Sequence, residues 1–268
     1  MAASMLSGKL DPVVRTITTG DVIAALASGL RDFREAPRYG LALGMLCAAT
    51  GIVVIASLFI LGMPYFAYPI GAGFAIVCPF IASRLYEVSS RLETGEALSA
   101  SEIWRKVLSR SEIRWMGFVV VFILVMWMYE VRLLLALFLG ETGMAATLGE
   151  FFETVLTTNQ GLAFLLVGNT IGIFLSAVLF SLTVISFPLV LDRDIDCVTA
   201  MVTSIRAVAA SPLPMLLFGV VIALLLAVSA LPAFLGLLVT MPVLGHATWH
   251  VYRSAIAPEA EAASPASG

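Results

Sequence analysis

The sequence predicts an all-α membrane protein with six transmembrane helices arranged as three hairpins. Each hairpin is preceded by an amphipathic helix on the cytoplasmic surface, and both chain ends lie in the cytoplasm. Three observations carry this reading: the composition, the long apolar stretches and the placement of Lys and Arg. Of the 268 residues, 60% are hydrophobic and 12% charged, against roughly 25% charged in ordinary soluble domains. A soluble core cannot hide so much apolar surface, and a mean hydropathy of +1.01 points to lipid as the solvent. Lipid supplies no hydrogen-bond partners, so a crossing must be a helix or a strand of a closed barrel. Continuous apolar runs near the ~20 residues needed to span ~30 Å exclude the alternating pattern of barrel strands.

Residues 1–39 form a cytoplasmic N-terminal segment, 40–252 the transmembrane domain and 253–268 a disordered cytoplasmic tail, APEAEAASPASG being small and polar. The N-terminus lacks the basic-then-apolar layout of a cleavable signal, so the first crossing is expected to act as an uncleaved insertion signal. The crossings read as Gly40–Leu61, Tyr65–Tyr86, Trp115–Leu139, Gly161–Val190, Met215–Ala230 and Ala233–Val251. The apolar stretch from Met215 to His250 is too long for one passage at 1.5 Å per residue, and Pro232 marks the turn that divides it.

Basic residues set the orientation. Lys9, Arg15, Arg31, Arg34 and Arg38 precede the first crossing, and Arg84, Arg91, Arg105, Lys106, Arg110 and Arg114 lie at or between the second and third. Arg193 and Arg206 occupy the fourth connection and Arg253 follows the last crossing. The connections around Gly62–Met63, Gly140–Gln160 and Leu231–Pro232 carry no Lys or Arg. By the positive-inside rule the basic connections are cytoplasmic, which requires an even number of crossings.

A repeat emerges from the cytoplasmic segments. Asp21–Phe33, Ser99–Ile113 and Asp196–Ala209 each place apolar residues on one helical face directly before a pair of crossings, and Ser99 and Glu102 have capping-box spacing. The second crossing of each pair carries Pro79, Pro188 or Pro242, where bends are expected. Prolines are also common in membrane helices generally, so a threefold repeat and coincidence both remain open. Gly140–Gln160, with Glu141, Glu150, Glu153 and an apolar Leu148, Phe151, Phe152, Val155 face, reads as a short helix on the outer surface.

Few residues offer chemistry. Glu130 and Arg132 lie inside the third crossing, where a charge costs ~2.5–3.5 kcal/mol on insertion scales. Counted from Trp115 at 1.5 Å per residue, Glu130 is about 22 Å into a ~30 Å core, and Arg132 is close enough to the far surface to snorkel. A hydrogen bond from Asn169 or Thr170 on a neighbouring helix would satisfy Glu130, and a proton or ion path is the competing reading. His246 and His250 share a helical face at i,i+4, the spacing of a ligand pair, but no third ligand accompanies them, so polar contacts beside Trp249 are expected and no metal. Arg84, Glu87 and Arg91 ladder along the second helix as it leaves the membrane. With Asp32, Arg34, Asp192, Arg193, Asp194 and Asp196 they form either a network locking the three units together or a docking surface. Two small-residue seams, Gly40/Gly44/Ala48 and Gly168/Gly172/Ser176, allow close helix approach within the chain or between copies.

The segments RTITTGDVIAALASGLRDFREAPRYGLALG, RLYEVSSRLETGE, SFPLVLDRDIDCVTAMVTSIRAVAASP and MPVLGHATWHVYR resemble, in that order, a bacterial family named domain of unknown function 2189, over about Pro12 to Arg253. The resemblance implies an integral membrane protein of the bacterial inner membrane, and some members carry the label of cytochrome c oxidase components. An oxidase catalytic core is itself excluded, because such cores use about six histidines and this chain has 2. With no phosphate loop, nucleic-acid face or Ser-His-Asp set, the expected role is non-catalytic: an accessory or assembly component of a respiratory membrane complex, without a cofactor and with the bilayer and complex subunits as partners. A small transporter using Glu130 is the alternative; the oligomeric state is left open.

Overall fold

The computed structural model describes residues 12–62, 67–140 and 148–258, and all its regular elements are helices. They are α1 Thr19–Glu35, α2 Pro37–Ile60, α3 Ala67–Thr94, α4 Ala100–Ser109, α5 Ser111–Phe138, α6 Leu148–Thr157, α7 Asn159–Thr183, α8 Ser186–Asp192, α9 Cys197–Ala210, α10 Pro212–Ala230 and α11 Leu237–Ala255. Glu141 and the tail from residue 259 onward lie outside the described residues, as do residues 1–11.

Three helix junctions share one backbone form. A surface helix passes into a long apolar helix through one non-helical residue in each unit: Ala36 between α1 and α2, Arg110 between α4 and α5, and Ser211 between α9 and α10. Two of these breaks precede Pro37 and Pro212, residues suited to the first helical position because it has no intrahelical use for an N–H. Packing repeats as well. α4 lies on α3, α9 lies on α7 and α8, and α1 lies on α11, so each surface helix covers the helix that closes the preceding unit, the last closing back onto the first.

Caps fix these starts. Thr18 Oγ1 accepts from the Asp21 N–H and Asp21 Oδ2 accepts from the Thr18 N–H, a capping box worth ~1 kcal/mol. Asp196 Oδ1 accepts from the Thr199 N–H at the start of α9. The box expected at Ser99 and Glu102 does not form. Ser99 Oγ meets Ser101 Oγ, and Glu102 turns away to an ion pair with Arg91, which offers a charge instead of a backbone amide.

Of the three prolines, one interrupts its helix. α3 and α11 run unbroken past Pro79 and Pro242, whereas α7 and α8 are separated at Val184 and Ile185. Val184 is the residue whose carbonyl the Pro188 ring would meet, four positions back. The turn at Pro232 spans Leu231–Gly236, so α11 begins at Leu237, later than the apolar pattern indicates.

Among the described residues, four segments are long and apolar enough to cross a membrane: Pro37–Ser57, Ser111–Phe138, Asn159–Asp192 and Pro212–Ala230. Of the other two long helices, α3 carries Ser83, Arg84, Glu87 and Arg91 at its basic end, and α11 carries His246, His250 and Arg253. Much of that polarity points into the protein: Ser83, Glu87 and His246 are buried. The core sits where α3, α8 and α11 meet. Leu85, Tyr86, Phe187, Leu189, Trp249 and Tyr252 are all buried there. The first glycine seam faces inward, and in the second Gly168 and Gly172 meet α5 while Ser176 is exposed. A Cβ on Gly44 would stand 2.7 Å from the Leu238 Cα of α11, and one on Gly172 would stand 3.1 Å from the Trp127 ring of α5.

The tail starts later than the composition indicates. Arg253 belongs to α11, and Ile256 and Ala257 are buried. Val14 and Ile256 form an antiparallel bridge in which the Arg15 N–H donates to Ala255 O (2.8 Å) and the Ala257 N–H to Val13 O (2.9 Å), so these two short segments hold each other in place.

Candidate functional site

The polar residues of α1, α3 and α11 converge at the basic end. Asp32 of α1 is buried, and its Oδ2 lies 2.8 Å from Nε2 of His250 and accepts a 2.8 Å hydrogen bond from the Ser89 hydroxyl of α3. Ser89 Oγ is also 2.7 Å from Nδ1 of His246, a residue with no exposed surface. Ser89 has one hydrogen, and the Asp32 carboxylate takes it. His246 must therefore donate through Nδ1–H, which leaves its buried Nε2 as an acceptor without a partner. Burial works against ionisation of Asp32, but hydrogen bonds from His250 and Ser89 and the nearby imidazoles outweigh it and hold the carboxyl below its ordinary range.

Helix α1 reaches this site because it carries Gly29. A Cβ there would lie 2.6 Å from both the Ala247 nitrogen and the Val243 oxygen of α11, so only glycine permits this approach. Two further groups extend the cluster. Glu93 of α3 accepts from the Trp249 indole N–H (3.1 Å) and pairs with Arg253 Nε (3.1 Å). Arg253 also lies 3.9 Å from Asp192 of α8, which accepts from the Tyr252 hydroxyl. Arg253 thus touches acidic residues from both other units. On the far side of α3, buried Glu87 is held between Arg91 (2.9 Å) and Lys106 of α4 (2.6 Å), and Arg91 continues to Glu102 (2.8 Å).

The expected histidine pair is therefore brought together with Asp32, and its neighbours are a serine and a carboxylate. Among the described residues no group of three or more His, Cys, Asp or Glu side chains is arranged to hold a metal ion. Glu87, Arg91, Asp192 and Arg193 all join contacts between units, Arg193 donating to the Ala257 carbonyl. Arg84 leaves the ladder: its guanidinium stacks on Trp104 of α4, 3.6 Å from the ring centre. Ser89, Glu93, Lys106 and Tyr252 were not legible as site members, because a lone polar residue carries no signal of which residue on another helix it will meet.

Glu130 lies apart, on α5. Both carboxylate oxygens are buried without a hydrogen-bond partner, in a gap of about 30 Å³ that Asn169 also lines. Asn169 Nδ2 donates to the Leu165 carbonyl and Thr170 Oγ1 to that of Leu166, so both amide and hydroxyl bond within their own helix. Arg132 is exposed on another face of α5.

These features define an integral membrane protein, helical in its described regular elements, whose ion-pair network gathers at one end. Residues 67–192 match the model of a family described as predicted integral membrane protein, DUF2189. That stretch takes in α3 through α8, including the segment RLYEVSSRLETGE, and the other resembling segments lie wholly or partly outside it. No curated protein and no solved structure matches the chain.

Proposed function

We propose that this chain is a non-catalytic, six-crossing protein of the bacterial inner membrane, with both ends in the cytoplasm, that serves as an accessory or assembly component of a respiratory membrane complex. The observation that carries the non-catalytic reading is how the site's polar groups are used. Asp32, Ser89, His250, Glu87, Glu93, Asp192, Arg91 and Arg253 are all engaged with other helices of the same chain, which is the pattern of a lock. Six crossings follow when α3 and α11 are counted with the four more apolar segments. α3 has 28 residues, about 42 Å at 1.5 Å each, enough to span the hydrocarbon and carry its charged turns beyond it. The respiratory assignment rests on the label of the resembling family. Outward apolar side chains such as Phe118, Phe122, Tyr129 and Leu137 of α5, more than 60% exposed, supply surface for lipid and for neighbouring subunits.

Purification of the full chain from native membranes in mild detergent, followed by mass spectrometry, tests this. A stoichiometric set of respiratory subunits is expected, and recovery of the chain alone under several conditions would contradict it. A second reading is favoured by one observation, the unpartnered Glu130 oxygens beside Asn169. On that reading the protein conducts an ion or small solute, and Glu130→Gln in proteoliposomes abolishes the flux. Unchanged flux removes it.

A further inference from the structure

A cleft of about 580 Å³ opens at the basic end between α2, α3 and α4. Arg38 and Arg84 line it together with the apolar Leu43 and Leu46 of α2. No acidic residue is among those that line it. Arg84 is held rigid by its stack on Trp104, yet its Nε is buried with no acceptor. A buried guanidinium nitrogen without a protein acceptor forfeits solvation, and an anion beside the guanidinium offsets that loss. At the corresponding position of the next unit, five residues after Pro188 as Arg84 is five after Pro79, Arg193 donates to the Ala257 carbonyl. The cleft leaves Arg84 without that substitute. Arg38 lies over the Tyr39 ring, and Tyr39 is fixed by donating to the Leu98 carbonyl, so the second cation is also positioned by its neighbours.

We propose that this cleft binds an anionic phospholipid, its phosphate held between Arg38 and Arg84 and one acyl chain running down past Leu43 and Leu46. Charge and shape both select this occupant. Two arginines with no carboxylate call for a phosphate-type anion, which the planar guanidinium fork fits. The apolar wall begins within two turns of them: Arg38 to Leu46 is eight residues, about 12 Å along the helix. Leu46 is 55% exposed, which leaves that wall open for a chain. The position agrees with a basic pocket at the headgroup level of the inner leaflet.

Native mass spectrometry of the full chain, delipidated in neutral detergent and titrated with dioleoylphosphatidylglycerol, dioleoylphosphatidylcholine or glycerol 3-phosphate, tests the proposal. Retention of phosphatidylglycerol over phosphatidylcholine is expected, with glycerol 3-phosphate bound far more weakly than the lipid. The R38Q/R84Q variant is expected to lose roughly tenfold or more in phosphatidylglycerol affinity, while R105Q, at an exposed arginine outside the cleft, retains it. Should the double variant fail to fold, Leu46→Trp fills the apolar half with both arginines in place and is expected to weaken binding on its own. Equal retention of both lipids, unchanged binding in R38Q/R84Q or L46W, or glycerol 3-phosphate binding as tight as the lipid would each overturn the proposal.

Discussion

Ser89 and His246 stand 2.7 Å apart across the α3–α11 contact, and because the Ser89 hydrogen goes to Asp32, the imidazole is the donor between them. This fixes the tautomer of a fully buried histidine through a residue 157 positions away. Nitrogen-15 NMR of the histidine ring in detergent is expected to show the Nδ1–H form. Ser89→Ala leaves that N–H unpaired and removes one donor to Asp32, at an expected cost of about 1–3 kcal/mol in thermal unfolding. An Nε2–H signal would contradict the assigned hydrogen-bond order.

Asp32 carries an acid-sensitive share of the stability. Its carboxyl titrates below the ordinary value of 3.8 in the folded protein, so the folded state binds the proton less readily than the unfolded chain. The stabilisation is therefore complete above about pH 3.8 and is lost as pH falls through the folded-state value. Asp32→Asn is expected to be less stable than the parent at pH 7, and the gap in Tm to close as both are acidified below that point. A gap that stays constant between pH 7 and pH 3 contradicts this.

Close approach at Gly29 gives a steric test. Gly29→Ala forces a methyl to 2.6 Å from α11 backbone, which cannot rotate away, so a loss of about 1–3 kcal/mol is expected. Gly219→Ala is the control. Its nearest neighbours are Phe180 ring atoms at 3.7 Å, an ordinary contact, and the better helix propensity of alanine is expected to leave stability unchanged or slightly raised.

Glu87 is almost fully buried between two cations, and its replacement strands them. Glu87→Ala is expected to cost about 3–5 kcal/mol, the range for breaking a buried ion pair from one side. Lys106→Ala is expected to cost far less, since the lysine side chain is 38% exposed and Arg91 still holds the carboxylate. Chemical denaturation monitored by tryptophan fluorescence distinguishes the two.

The long helices were legible because lipid imposes continuous apolar runs, and the surface helices because their apolar faces recur at helical spacing. α2, α5 and α10 begin within about four residues of their expected positions, and Gly40, Gly44, Gly168 and Gly172 of the small-residue seams meet side chains or backbone of other helices. Site membership was legible where charge is out of place and where His246 and His250 share a helical face. Asp32, Glu87 and Asp192 stand out in so apolar a chain, whereas Ser89 is a neutral hydroxyl whose meaning depends on Asp32 and His246, 57 and 157 positions off. The order of the tail was hidden for a similar reason. Ile256 and Ala257 look like the start of a polar end, and only their pairing with Val13–Arg15 explains their burial.

The central claim, that α3 and α11 cross the membrane along with the four more apolar segments, is tested most directly by alkaline phosphatase fused after Gly62, Glu96, Gly140, Asp194, Leu231 and Ala257. Activity after Gly62, Gly140 and Leu231, with none after Glu96, Asp194 and Ala257, is the predicted result. An active fusion after Glu96, or a silent one after Leu231, would contradict the six-crossing account.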